Sequence, residues 1–157
     1  MKKQKGFSLI ELLIVVAIIL IIAAIAIPNL IKSKMAANES SAVGSLRTLT
    51  TGEIAFASAC PAIGFTHALA DLGTAATCPG GNGQIDTTLQ AGSKSGYTFT
   101  NPGRSSGNTP ETQFAWLATP ASVSSGTRGF YVDESGVIRY SPNGNTAAAT
   151  NVSNALQ

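Results

Sequence analysis

The chain is short of charge. Of its 157 residues only 11% are Asp, Glu, Lys or Arg, against about 25% in an ordinary soluble domain. It has one histidine, His67, one tryptophan, Trp116, and two cysteines, Cys60 and Cys78. These shortages exclude several chemistries. The cysteines do not form a CxxC pair and the lone His67 brings no partner by motif, so no metal site and no cofactor is expected. No Gly-rich loop runs into a Lys to cradle a phosphate. The acids Asp71, Asp86, Glu111, Asp133 and Glu134 show no spacing that compels acid/base catalysis, and the segment Asp133-Glu134-Ser135-Gly136 reads as a turn rather than a calcium loop. Trp116 reads as core. Asn38-Glu-Ser and Asn151-Val-Ser match the glycosylation triplet, a weak signal. The chain is not expected to be an enzyme.

What is abundant is apolar sequence, unevenly placed. Leu12 to Ile27 is sixteen consecutive apolar residues, and Phe7 to Ile31 is interrupted only by Ser8, Glu11, Pro28 and Asn29. About 20 such residues in a helix cross the hydrocarbon core of a bilayer. Lys2, Lys3 and Lys5 precede the run, which favours a cytoplasmic N-terminus and an exported body. Removing those three from the 10 basic residues leaves 7 against 8 acidic, or −1. A near-neutral body carries no basic stripe, and specific nucleic-acid binding is not expected. Cys60 and Cys78 lie in that exported part, where oxidation is allowed, and are expected to pair, free thiols being the alternative.

Two plain readings of the N-terminus fall short. A secretory signal peptide would suit the basic start and Ala24-Ile25-Ala26, but the apolar run exceeds the usual h-region and the helical pattern resumes beyond Pro28. A simple anchor tolerates Glu11 without explaining it, although a charge at mid-bilayer costs about 2.5–3.5 kcal/mol on insertion scales.

Lys5-Gly6-Phe7-Ser8-Leu9-Ile10-Glu11, leading into the apolar run, closely resembles the N-terminal signature of type IV pilins and pseudopilins. The resemblance is close over Lys5 to Ile31 and general beyond. It implies a leader, 1–6, removed by a prepilin peptidase between Gly6 and Phe7, and N-methylation of the new N-terminal Phe7. It also implies that Glu11 meets the N-terminal amine of a neighbouring subunit during assembly. The implied function is a structural subunit of a type IV pilus, a homo-oligomeric helical filament for adhesion, twitching motility or DNA uptake, assembled from the inner membrane by the pilus machinery and displayed on the cell surface. A pseudopilin of a type II secretion system is the alternative.

The expected fold is α+β. A long helix over 7–59, roughly 80 Å at 1.5 Å per residue, has a transmembrane and assembly half, 7–31, and packs on a head, 60–157, that holds four antiparallel strands. Pro28 is expected to kink the helix or melt it locally around 24–28. Ile31, Met35, Ala42, Leu46, Leu49 and Phe56 form one helix face, with Lys34, Asn38, Glu39, Ser41 and Ser45 solvated opposite. Cys60-Pro61 ends the helix. A short helix is expected at 67–72, a loop at 79–83, strands at 95–100, 113–119, 128–133 and 136–141, and a polar tail from Pro142.

Overall fold

The computed structural model describes residues 6–73, 78, 80–81, 83–103, 106–142 and 144. Helix α1 spans Leu9–Ala59 and is followed by two single-turn helices, α2 (Leu69–Leu72) and α3 (Thr87–Gln90). Five strands come next: β1 (Ser93–Lys94), β2 (Tyr97–Thr100), β3 (Ala115–Pro120), β4 (Gly129–Asp133) and β5 (Arg139–Ser141). They form one antiparallel meander in the order β1-β2-β3-β4-β5. The expected α+β architecture stands: a long apolar N-terminal helix leads into a helix segment packed on a small antiparallel sheet.

The chain divides into two compact units, residues 1–34 and 35–157. In the first, α1 is apolar all round, the pattern of a helix that lipid or other helices must cover. Leu9, Leu20, Ile25 and Leu30 are each more than 60% exposed. This helix is long and apolar enough to cross a membrane. Pro28 lies inside α1, and the helix is unbroken from Leu9 to Ala59, so the locally melted stretch anticipated at 24–28 is absent. A proline deletes one N–H from the i→i−4 ladder, and the remaining bonds of the turn hold the segment helical.

In the second unit, Ala42, Leu46, Leu49 and Phe56 of α1 are fully buried against Tyr97, Phe99, Trp116, Ala118, Phe130 and Val132 of the sheet. The sheet residues alternate, as a pleated strand with one face on a core requires. Ala115, Leu117 and Tyr131 form a smaller buried cluster from the intervening positions. Each large side chain removed from water contributes about 1.5–3 kcal/mol, so this stripe fixes the register of the helix on the sheet.

Three expectations about the second unit need correction. Glu39 and Ser45 were placed on the solvated face but are 7% and 4% exposed. Both lie at 3–4 residue spacings from the buried stripe, and the Glu39 carboxylate is satisfied by Thr127 and Arg128. The short helix begins at Leu69 rather than His67, and α3 was not anticipated; Asp86 caps it by accepting the Leu89 N–H at 2.6 Å. The first strand pair is split. Ser95 (φ 52°) and Gly96 (φ 73°) form a two-residue turn with the positive φ values that suit the twist of a hairpin, which adds β1 as a fifth strand. The last hairpin turns at Asp133-Glu134-Ser135-Gly136, as expected: the Gly136 N–H donates to the Asp133 carbonyl at 2.9 Å and the Ser135 N–H to its Oδ1 at 3.0 Å. Residues 79 and 82 of the expected loop and most of the polar tail lie outside the described residues.

Candidate functional site

The site that the sequence singles out begins at the start of α1. Gly6, Phe7 and Ser8 precede the helix, adopt no regular structure and are exposed, Phe7 at 83%. Residues 1–5 of the expected leader lie outside the described residues. The first helical turn shows what Glu11 does within a single chain. Its Oε2 accepts the Ser8 backbone N–H at 2.9 Å. Ser8 stands at the N-cap and Glu11 three residues on, so this is the returning arm of a Ser-x-x-Glu capping box. A negative charge here also complements the positive end of the helix dipole. The expected role of Glu11, a charge awaiting a partner, is joined by this second use, for which the Ser8–Glu11 spacing is the sequence signal.

The carboxylates of the head serve other ends. Glu39 ties α1 to the β3–β4 connection. Its Oε1 accepts the N–H groups of Thr127 at 3.0 Å and Arg128 at 3.2 Å; its Oε2 takes Arg128 Nε at 2.8 Å and Nη2 at 2.7 Å. Burial pushes its pKa up, but the Thr127 N–H, the Arg128 side chain and the Arg128 N–H together outweigh burial and hold it below the usual carboxylate value. Asn38 joins the same tie, donating to the Ser125 carbonyl at 2.9 Å.

Glu53 is completely buried and accepts Trp116 Nε1–H and the Thr66 N–H, each at 2.9 Å. His67, read from the sequence as lacking a partner by motif, places Nε2 3.3 Å from Glu111 Oε2, and Asn101 Nδ2 lies 3.1 Å from its Nδ1. Glu111 Oε1 accepts N–H groups from Ser106, Thr112 and Gln113. Asp133 Oδ2 accepts Arg139 Nη1 at 3.1 Å. Among the described residues no three of His, Cys, Asp and Glu are placed to share a metal ion. Cys60 and Cys78 are joined in a disulfide, as expected.

The geometry of the N-terminus agrees with comparisons to known proteins. A family model described as the prokaryotic N-terminal methylation motif matches residues 1–27. Over 54 residues, 34% of this chain and 24% of the relative, it is 52% identical to a type IV major pilin protein of Myxococcus xanthus. Over 40 residues, 26% of this chain and 30% of the relative, it is 58% identical to the major component of a type IV wide pilus of Thermus thermophilus. The likeness thus spans less than a third of the length of these relatives. No solved structure matches. The motif and both relatives support a type IV pilin.

Proposed function

We propose that this chain is a structural subunit of a type IV pilus that polymerises through its apolar N-terminal helix. One observation carries the reading: a methylation motif opens onto a helix whose apolar residues are left uncovered in the single chain. Such a surface needs lipid before assembly and other copies of the same helix after it. The subunit is proposed to wait in the inner membrane with its N-terminus in the cytoplasm and its head outside, then to pass into a filament on the cell surface. Its role is structural rather than catalytic, and adhesion, twitching motility and DNA uptake are the uses such a filament serves. A pseudopilin would share the same N-terminus. That both relatives are pilins sets that reading second.

In this scheme residues 1–6 are the leader, 7–59 the helix with its assembly half at 7–31, and 60–157 the head. A prepilin peptidase cuts between Gly6 and Phe7, and Phe7 is N-methylated. Gly6 has open space around the position a Cβ would take, which suits close approach by a protease. Glu11 keeps Oε2 on Ser8 and offers Oε1 to the Phe7 amine of a neighbouring copy. A charge left without its partner in a low-dielectric core is costly, so Glu11 selects axial register more than it adds stability. Pro28, which lacks an N–H, is the proposed point of bending when the helix packs in the filament.

The test is Glu11→Ala. The variant is expected to insert and be processed like the parent while filament yield collapses; a normal yield of filaments would sink the proposal.

A further inference from the structure

Glu53 is the one charged side chain of α1 that is fully buried, and the assembly scheme makes no use of it. It projects from the helix into the core of the head, where three elements converge. The β3 strand supplies Trp116, whose Nε1–H donates to Oε1. The segment after α1 supplies Thr66, whose backbone N–H donates to Oε2. Helix α2 supplies Asp71, which accepts the hydroxyl of the same Thr66 at 2.8 Å and faces Glu53 with like charge. Thr66 is therefore held by two carboxylates at once, one through its backbone and one through its side chain. No cation pairs with Glu53 among the described residues. The nearby His67 side chain is engaged instead by Glu111 and Asn101. Two other buried carboxylates differ in this respect: Glu39 is paired with Arg128 and Asp133 with Arg139.

We propose that Glu53, Trp116, Thr66 and Asp71 form a pH-responsive clamp that fastens the Thr66–Gly73 segment to α1 and β3 and loosens when Glu53 ionises. The reason is electrostatic. Two neutral donors stabilise the anion only in part, while full burial and the Asp71 charge oppose it. Burial pushes the Glu53 pKa up to about 7, against the pull of the Thr66 and Trp116 hydrogen bonds. A raised carboxylate favours the folded head below the unfolded value near 4.5 and loses that advantage as pH climbs toward 7, an effect of about 300-fold in the folding equilibrium. Loosening acts on a segment that lies within the loop closed by Cys60 and Cys78.

Trp116 is the single tryptophan of the chain, so its emission reports on its carboxylate partner. The experiment is a pH titration of that emission in the full chain in detergent micelles, from about pH 5 to about pH 9, with Glu53→Gln, Asp71→Asn and His67→Ala alongside. One transition near neutrality is expected in the parent. Glu53→Gln should abolish it, Asp71→Asn should shift it to lower pH, and His67→Ala should leave it in place. Should Glu53→Gln fail to fold, the direction of the Asp71→Asn shift decides the matter. A flat parent titration, a transition lost in His67→Ala, or an Asp71→Asn midpoint that does not fall would overturn the clamp.

Discussion

Two glutamates in the buried half of α1 behave oppositely, and the difference is whether a cation answers them. Glu39 meets Arg128 and two backbone N–H groups; Glu53 meets only neutral donors. Glu39→Ala would leave the N–H groups of Thr127 and Arg128 without their acceptor. We expect a loss of about 2–3 kcal/mol, measured by thermal or denaturant unfolding of the full chain. The pH dependence follows from the signs. Glu39 has a lowered folded pKa, so its contribution is present above 4.5 and is lost as acid protonates it. Glu53 has a raised one, so stability falls between 4.5 and about 7. Unfolding temperature is therefore expected to peak in mild acid and to decline on both sides, and Glu53→Gln should flatten the neutral side only. A different residue-scale constraint sits at Gly64. Its φ of +82° and the Glu111 backbone pressed where a Cβ would lie leave room for glycine alone, and Gly64→Ala is expected to cost at least about 1–3 kcal/mol.

At the scale of elements, α1 carries two glycines with different standing. Gly44 is exposed, with open space where a Cβ would go, so Gly44→Ala should stabilise the head by about 0.5–1 kcal/mol in the same unfolding assay. Gly52 is buried, and a methyl there would meet the side chains of Gln84 and Ile85 at 3.4–3.5 Å, an ordinary contact. The disulfide joins the C-terminal end of α1 to the segment before α3 across 18 residues. Replacing both cysteines by serine is expected to cost about 3 kcal/mol by the chain-entropy account.

Much of the element plan was legible because apolar spacing and breakers carry it. The stripe Ala42-Leu46-Leu49-Phe56 and the aromatic strand segments were read from pattern alone. The same stripe also passes through Glu39 and Glu53, at steps of 3 and 4 residues. Charge led Glu39 to be placed in solvent, where spacing would have buried it. Its partner Arg128 is 89 residues away in sequence, and nothing local announces such a pairing. Likewise β1 is two residues long and α3 one turn, too short for periodicity to mark.

At the scale of the whole molecule, the two units pose different problems. The head has its own core and is accounted for within one chain. The first unit leaves its apolar surface open, and its sequence is also where the methylation motif lies. In that unit, local sequence carried both the helix and its proposed use. The Ser8–Glu11 capping bond is equally local, a Ser-x-x-Glu spacing at the first turn of the helix. The central claim is that the first unit becomes a polymerisation helix after removal of six residues. Its most direct test is mass spectrometry of the subunit in filaments sheared from the cell surface. The account predicts a chain of 151 residues, 157 minus 6, beginning at an N-methylated Phe7. A subunit that retains Met1, one cut near Ala26, or filaments without this chain would contradict it.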